Sequence, residues 1–148
     1  MSEPFLHWTS DLDTGIEQVD EQHKILVQYI NEMHDAHVAN DREAVGKALD
    51  HLIEYTVQHF SDEEDLLKMA EYPLTDAHHR VHENFVSKVQ TYKGRFDNGD
   101  DVSQELLDIL ETWLFMHIRR NDHGYVRHVK DKLGLITKIG RASCRERV

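Results

Sequence analysis

Residues 45–67 read VGKALDHLIEYTVQHFSDEEDLL. Val45, Leu49, Leu52, Thr56, His59, Glu63 and then Leu66 or Leu67 recur at alternating steps of four and three, the period of one face of an α-helix. No proline interrupts the run, so it predicts a long amphipathic helix with that face turned inward. The stripe does not stay apolar, however. His59 and Glu63 occupy positions where core residues are expected, one turn apart on the same face.

Three further stripes share the period. Ile16, Val19, His23, Leu26, Ile30 and Met33 form the first. His78, His82, Phe85, Val89, Tyr92 and Phe96 form another, and Leu106, Leu110, Trp113 and His117 the last. Helices are expected at roughly 19–39, 41–70, 75–96 and 102–120, with a short fifth at about 122–133. Asn40 with Glu43 reads as a capping box opening the second, and Asp101 with Gln104 as another opening the fourth. Pro73 breaks the chain between the second and third, and Asp97–Asp101 is a turn. Gly46 is the one glycine placed well inside a predicted helix. No strand pattern competes. Short links between long helices imply antiparallel neighbours, so the fold class is all-α: an up-down-up-down four-helix bundle with a short C-terminal fifth helix. Residues 1–15 form an N-terminal arm whose Phe5, Leu6 and Trp8 pack on the bundle end.

His23, His59, Glu63, His78, His82 and His117 all lie in phase with core positions. Six ionisable groups pointing into a bundle are costly unless partnered, and a metal centre partners them all. His78 and His82 repeat the i,i+4 geometry of His59 and Glu63. Asp122 is the further carboxylate needed to balance charge, but it follows His117 by five residues, which in a regular helix turns it about 140° away. After that point Tyr125 or Val126, Val129 and Leu133 continue in phase with residue 122, so a one-residue slip is expected, most simply a π-bulge. Seven ligands exceed one six-coordinate ion, which implies two ions bridged by carboxylates. Imidazole and carboxylate suit iron, manganese or zinc. The remaining histidines (His7, His34, His37, His51, His79, His123 and His128) are assigned to solvated faces, as are Asp62, Glu64 and Asp65.

Composition narrows the function classes. The chain has 148 residues and a formal net charge of −11, which argues against nucleic acid and anionic membranes as partners. No run approaches ~18 consecutive apolar residues, so no membrane span is expected. Met1-Ser2-Glu3-Pro4 lacks the basic start and apolar core of a secretory signal, and the single cysteine, Cys144, cannot pair internally; a cytoplasmic location is expected. Residues 139–148, IGRASCRERV, are basic in an acidic chain and follow a natural stop at Leu133-Gly134. They read as a sequencing adapter translated as codons, leaving one domain at 1–138.

The order His23, His59-Phe60-Ser61-Asp62-Glu63, His78 with His82, then His117 with Asp122, together with the lead-in Asp20-Glu21-Gln22-His23, resembles the full ligand signature of the hemerythrin family, in particular its stand-alone bacterial members. The likeness spans residues 5–133. It implies reversible dioxygen binding at two iron ions with an oxo or hydroxo bridge, for oxygen transport, storage or delivery. His78, His82 and His117 then saturate one iron, His23 and His59 hold the other with one position open, and Glu63 and Asp122 bridge. It also implies an oxygen pocket at Leu26, Phe60, Trp113 and Leu114, positions that equally suit core packing. The partners implied are dioxygen and an unidentified oxygen-consuming protein, with the chain a monomer and not an enzyme. The alternatives are a di-iron enzyme (an oxidase, or a peroxide or nitric oxide scavenger) and an oxygen sensor acting through a partner. Oxygen-activating bundles carry more carboxylates and Glu-x-x-His pairs, which this chain lacks at the site.

Overall fold

The computed structural model describes residues 5–134. Four helices, α1 (Glu17–Val38), α2 (Arg42–Met69), α3 (Thr75–Asp97) and α4 (Ser103–Met116), are followed by a π-helical turn at His117–Asp122 and by α5 (His123–Leu133). The links after α1, α2 and α3 are short and fold each helix back beside its predecessor. α1 packs on α2 and α4, and α3 on the same two. This is the up-down-up-down bundle, with α5 continuing the direction of α4 through the π turn. None of the described helices is long and apolar enough to cross a membrane. The basic segment 139–148, with Cys144, lies outside the described residues.

Two of the expected caps differ from what forms. Asp41, not Asn40, caps α2, its Oδ1 accepting from the Ala44 amide at 3.1 Å. Asn40 takes a left-handed φ of 55° in the link, a conformation asparagine tolerates better than most residues, so the cap falls to the next acid. α4 starts after Val102 with no side-chain cap, and Gln104 instead bonds Asp108 Oδ1 along the helix at 2.9 Å. Gly46 has a packing reason. A Cβ there would lie 3.2 Å from the Phe96 ring, which closes over α2 beneath the Arg42 guanidinium, 4.0 Å above it.

The N-terminal arm lies along α1 rather than across the bundle end. Asn31 both accepts from the Leu6 amide (2.7 Å) and donates to the Leu6 carbonyl (3.1 Å), and Phe5 stacks on His34. Leu6 is thereby buried in the main core. At the start of α1 the buried Asp20 carboxylate accepts from the Thr14 amide (2.8 Å), the Thr14 hydroxyl (2.7 Å) and the Gly15 amide (3.0 Å). Asp20→Ala leaves two backbone donors without an acceptor. It is expected to destabilise folding by about 2–3 kcal/mol, read as a fall in the denaturant midpoint at unchanged slope.

The apolar core is in two parts. The larger contains Leu26, Ile30, Leu49, Leu52, Phe85, Leu106, Leu107, Leu110, Leu114 and Ile118 among others. The smaller contains Ile16, Val19, Leu67, Ala70, Tyr125 and Val129. On α1, α2 and the α4–α5 run, the ionisable core residues sit where the larger part gives way to the smaller, His59 and His117 each beside the last residue of the larger part, Phe60 and Ile118. The polar layer is therefore closed by hydrophobic packing at both ends, which removes competing water.

Candidate metal centre

α1 delivers His23, α2 His59 and Glu63, α3 His78 and His82, and the two ends of the π turn His117 and Asp122. None of the seven is more than 4% exposed. The π turn is what brings Asp122 in. Its wider turn takes in one extra residue between 117 and 122, so both side chains project to the same face.

The seven side chains form two groups that share a carboxylate. Glu63, His78, His82, His117 and Asp122 each offer one atom to a cluster whose atoms all lie within 4.8 Å of one another, and His23, His59 and Glu63 form a second such cluster. Glu63 Oε1 lies 2.8 Å from His78 Nε2 and 3.0 Å from His82 Nε2. Its other oxygen, Oε2, lies 3.9 Å from His23 Nε2 and 3.8 Å from His59 Nε2. Asp122 divides in the same way. Oδ1 lies 3.0 Å from His117 Nε2 and 3.1 Å from His78 Nε2, and Oδ2 lies 2.9 Å from His23 Nε2. Each carboxylate thus turns one oxygen to each group, the geometry of a bridge.

The outer nitrogens of three imidazoles are held from behind. His59 Nδ1 lies 2.7 Å from Gln22 Oε1, His82 Nδ1 2.8 Å from Glu64 Oε2, and His117 Nδ1 3.1 Å from Asn121 Oδ1. The Gln22 amide is oriented by Asp62, an acceptor for Gln22 Nε2 at 2.9 Å, so its oxygen must face His59. Glu64 can only accept. His59 and His82 therefore carry their proton on Nδ1 and present an Nε2 lone pair to the centre. Tyr125 completes the surround, its hydroxyl donating to Glu63 Oε2 at 2.9 Å.

The donor set fits a pair of cations. His82 Nε2 and His117 Nε2 face each other at 3.1 Å. With their protons turned outward, two lone pairs would meet there, an arrangement that a shared positive ion makes favourable. Both nitrogens of His23 and both oxygens of Asp122 are buried without a hydrogen-bond partner, close to other polar atoms but not aligned with them for hydrogen bonding. Nitrogen and oxygen donors without thiolate suit iron, manganese or zinc.

Protonation follows burial and neighbours. Burial holds His59 down to about 4, only partly offset by Glu63. Burial opposes the charge on His78 as well, but contacts with Asp122 and Glu63 outweigh it and raise its pKa to about 9. His23 is also raised, Asp122 prevailing over burial. Burial disfavours charge on both carboxylates, yet the surrounding imidazoles hold both below the ordinary range. For the metal-free protein the signs set a maximum of stability near pH 6.5. Below it the unfolded chain protonates its counterpart of His59 first, so stability is lost as pH falls from about 6.5 to about 4. Above it the His78 contribution, fully present below about 6.5, is lost as pH rises through about 9. Denaturant unfolding of chelator-stripped protein at several pH values checks this; a flat profile contradicts it.

Leu26, Trp113 and Leu114 line a small apolar cavity of about 10 Å³ together with Ile30, Thr56, Phe85 and neighbours. Phe60 is not in that lining; it stacks on His82 with ring centroids 3.7 Å apart. Trp113 stacks on His117 at 4.4 Å, so one indole separates the cavity from the ligand cluster.

The profile of the hemerythrin HHE cation binding domain matches residues 14–129, a span that includes all seven core acids and imidazoles. The chain belongs to the hemerythrin family. It is 41% identical over 133 residues to the bacteriohemerythrin of Pseudomonas aeruginosa (strain LESB58), covering 90% of this chain and 87% of that protein. To the bacteriohemerythrin of Stenotrophomonas maltophilia (strain R551-3) it is 43% identical over 128 residues, covering 86% and 84%. A crystal structure of wild-type hemerythrin superposes with a TM-score of 0.80 at 30% identity, over 84% of this chain and 98% of that one.

Within this hemerythrin-family fold, the residues that sequence reasoning passed over are the outer ones. Glu64 and His79 are not merely solvated: Glu64 bonds His82 and, through its other oxygen, His79 at 2.5 Å. Asp62 orients Gln22. His123 and His128 are partly buried and bond the carbonyls of Leu12 and Ala70. Asn121, at i+4 from His117, and Gln22, beside His23, had spacings that hinted at these roles. Nothing local distinguished Glu64 from its acidic neighbours.

Proposed function

We propose that this chain binds dioxygen reversibly at two iron ions held by His23, His59, Glu63, His78, His82, His117 and Asp122, for oxygen transport, storage or delivery. The observation that carries the reading is the unequal division of imidazoles, three on one side and two on the other, across two shared carboxylates. With both carboxylates shared, the side of His23 and His59 offers one imidazole fewer than the other, and an ion held there would have room for an exogenous diatomic. The iron pair, when bound, supplies the two electrons that dioxygen takes up.

The protein's own part is to orient, to balance charge and to exclude water. Gln22 and Glu64 set the tautomers of His59 and His82. Glu63 and Asp122, kept ionised, offset the charge of the cations. Leu26, Phe60, Trp113 and Leu114 give dioxygen a dry surround, and a dry site opposes escape of charged reduced oxygen. Leu114→Ala is accordingly expected to speed autoxidation by about tenfold or more, followed as decay of the oxygenated spectrum; an unaltered rate removes Leu114 from the pocket.

The histidine-rich donor set favours a binding protein over an enzyme. Delivery implies an oxygen-consuming protein as partner, with the chain itself acting as a monomer. Stopped-flow mixing of the reduced, iron-loaded protein with oxygen tests the reading. A long-lived adduct that disappears on deoxygenation supports it. Continuous consumption of a reductant by the protein alone overturns it in favour of an oxidase or scavenger.

A further inference from the structure

The acceptors behind the ligand histidines are not chemically alike. Gln22, behind His59, and Asn121, behind His117, are neutral amides, whereas Glu64, behind His82, is a carboxylate. Glu64 is held on both oxygens, by His82 Nδ1 at 2.8 Å and by His79 Nδ1 at 2.5 Å, and its side chain is only 13% exposed. Its orientation is thus set from two directions. Gln22 is equally constrained, since Asp62 takes its amide nitrogen and is itself bonded by Gln58 at 2.8 Å. The carboxylate backs the three-histidine side, and an amide backs the two-histidine side.

A hydrogen bond to a carboxylate leaves more electron density on an imidazole than one to an amide, and so makes it the stronger donor to a metal. We propose that Glu64 is a positioning residue that, through His82, makes the three-histidine metal position more electron-rich than the other. Gln22 provides the contrast by leaving His59 a weaker donor. The consequence is directional. The oxidised state of the position that meets no exogenous ligand is stabilised, and the open position keeps its reducing electron less tightly committed to oxidation in the resting protein.

The inference rests on the di-iron reading, and the experiment separates the two. Wild type, Glu64→Gln and Gln22→Glu are loaded with ferrous iron, and midpoint potentials are measured by spectroelectrochemistry alongside Mössbauer spectra of the two iron environments. Glutamine at 64 preserves shape and can still accept from His82, so a purely structural role predicts no change. The expected result is a rise in midpoint potential for Glu64→Gln equal to about a tenfold shift in the ferrous–ferric equilibrium, about 59 mV for one electron, with iron content retained. Gln22→Glu is expected to shift the potential in the opposite direction and to narrow the difference between the two Mössbauer environments. Equal potentials in wild type and Glu64→Gln at equal iron content overturn the inference. Should Glu64→Gln fail to fold, an unshifted Gln22→Glu overturns it alone. A wild type that takes up no iron pair overturns the functional reading instead.

Discussion

Glu63→Ala is expected to leave the protein unable to retain either metal ion. Glu63 is the residue common to both clusters, one oxygen close to His78 and His82 and the other turned to His23 and His59. No neighbouring acid can substitute, because Glu64 faces the back of His82 and Asp122 already serves from the opposite side. The loss also strands the Tyr125 hydroxyl in the smaller apolar core without its acceptor. Breaking a buried, paired charge costs about 3–5 kcal/mol, so the variant should be both metal-free and less stable. Iron per folded chain, with the optical spectrum of the reduced protein in air, reads the first effect. A variant that still carries a full pair of irons contradicts the bridging role.

His59→Ala should separate the two positions. His59 belongs only to the smaller cluster, which has just two imidazoles. Removing one leaves His23 and shared carboxylate oxygens, too few donors to hold an ion tightly. The three-histidine side keeps every ligand. The expected product is a protein with one iron rather than a pair, close to wild-type helicity, and no oxygen-dependent spectrum. The alanine leaves a cavity about the size of an imidazole, which costs roughly 2–4 kcal/mol. An oxygen adduct indistinguishable from that of the wild type would falsify the assignment of the open side. Comparing this variant with Glu63→Ala therefore tests topology as well as identity: a shared residue abolishes both positions, an unshared one abolishes only its own.

The bundle was legible because its stripes are long and its links short. Residues 45–67 place His59 and Glu63 inside by period alone, and the buried set on α2 follows that period from Val45 to Glu63. The π turn was legible in the sequence as well. Its extra residue resets the apolar phase, so Tyr125 and Val129, not their neighbours, become buried. Local signals did less well at helix starts. Whether Asn40 or Asp41 caps α2 depends on which of them takes the left-handed backbone, a difference of one residue that composition does not resolve.

What the sequence by itself determined is which side chains face inward, because a helix converts spacing into direction with a fixed period. What only the tertiary structure decided is which atoms meet: the split of two carboxylates between two sets of imidazoles, the Tyr125 hydroxyl on Glu63, and the amide or carboxylate behind His59, His82 and His117. Those that cross between helices join residues from 15 to 99 positions apart. They depend on how far one helix slides along another, and that register is set by the summed packing of both cores rather than by any local pattern of residues.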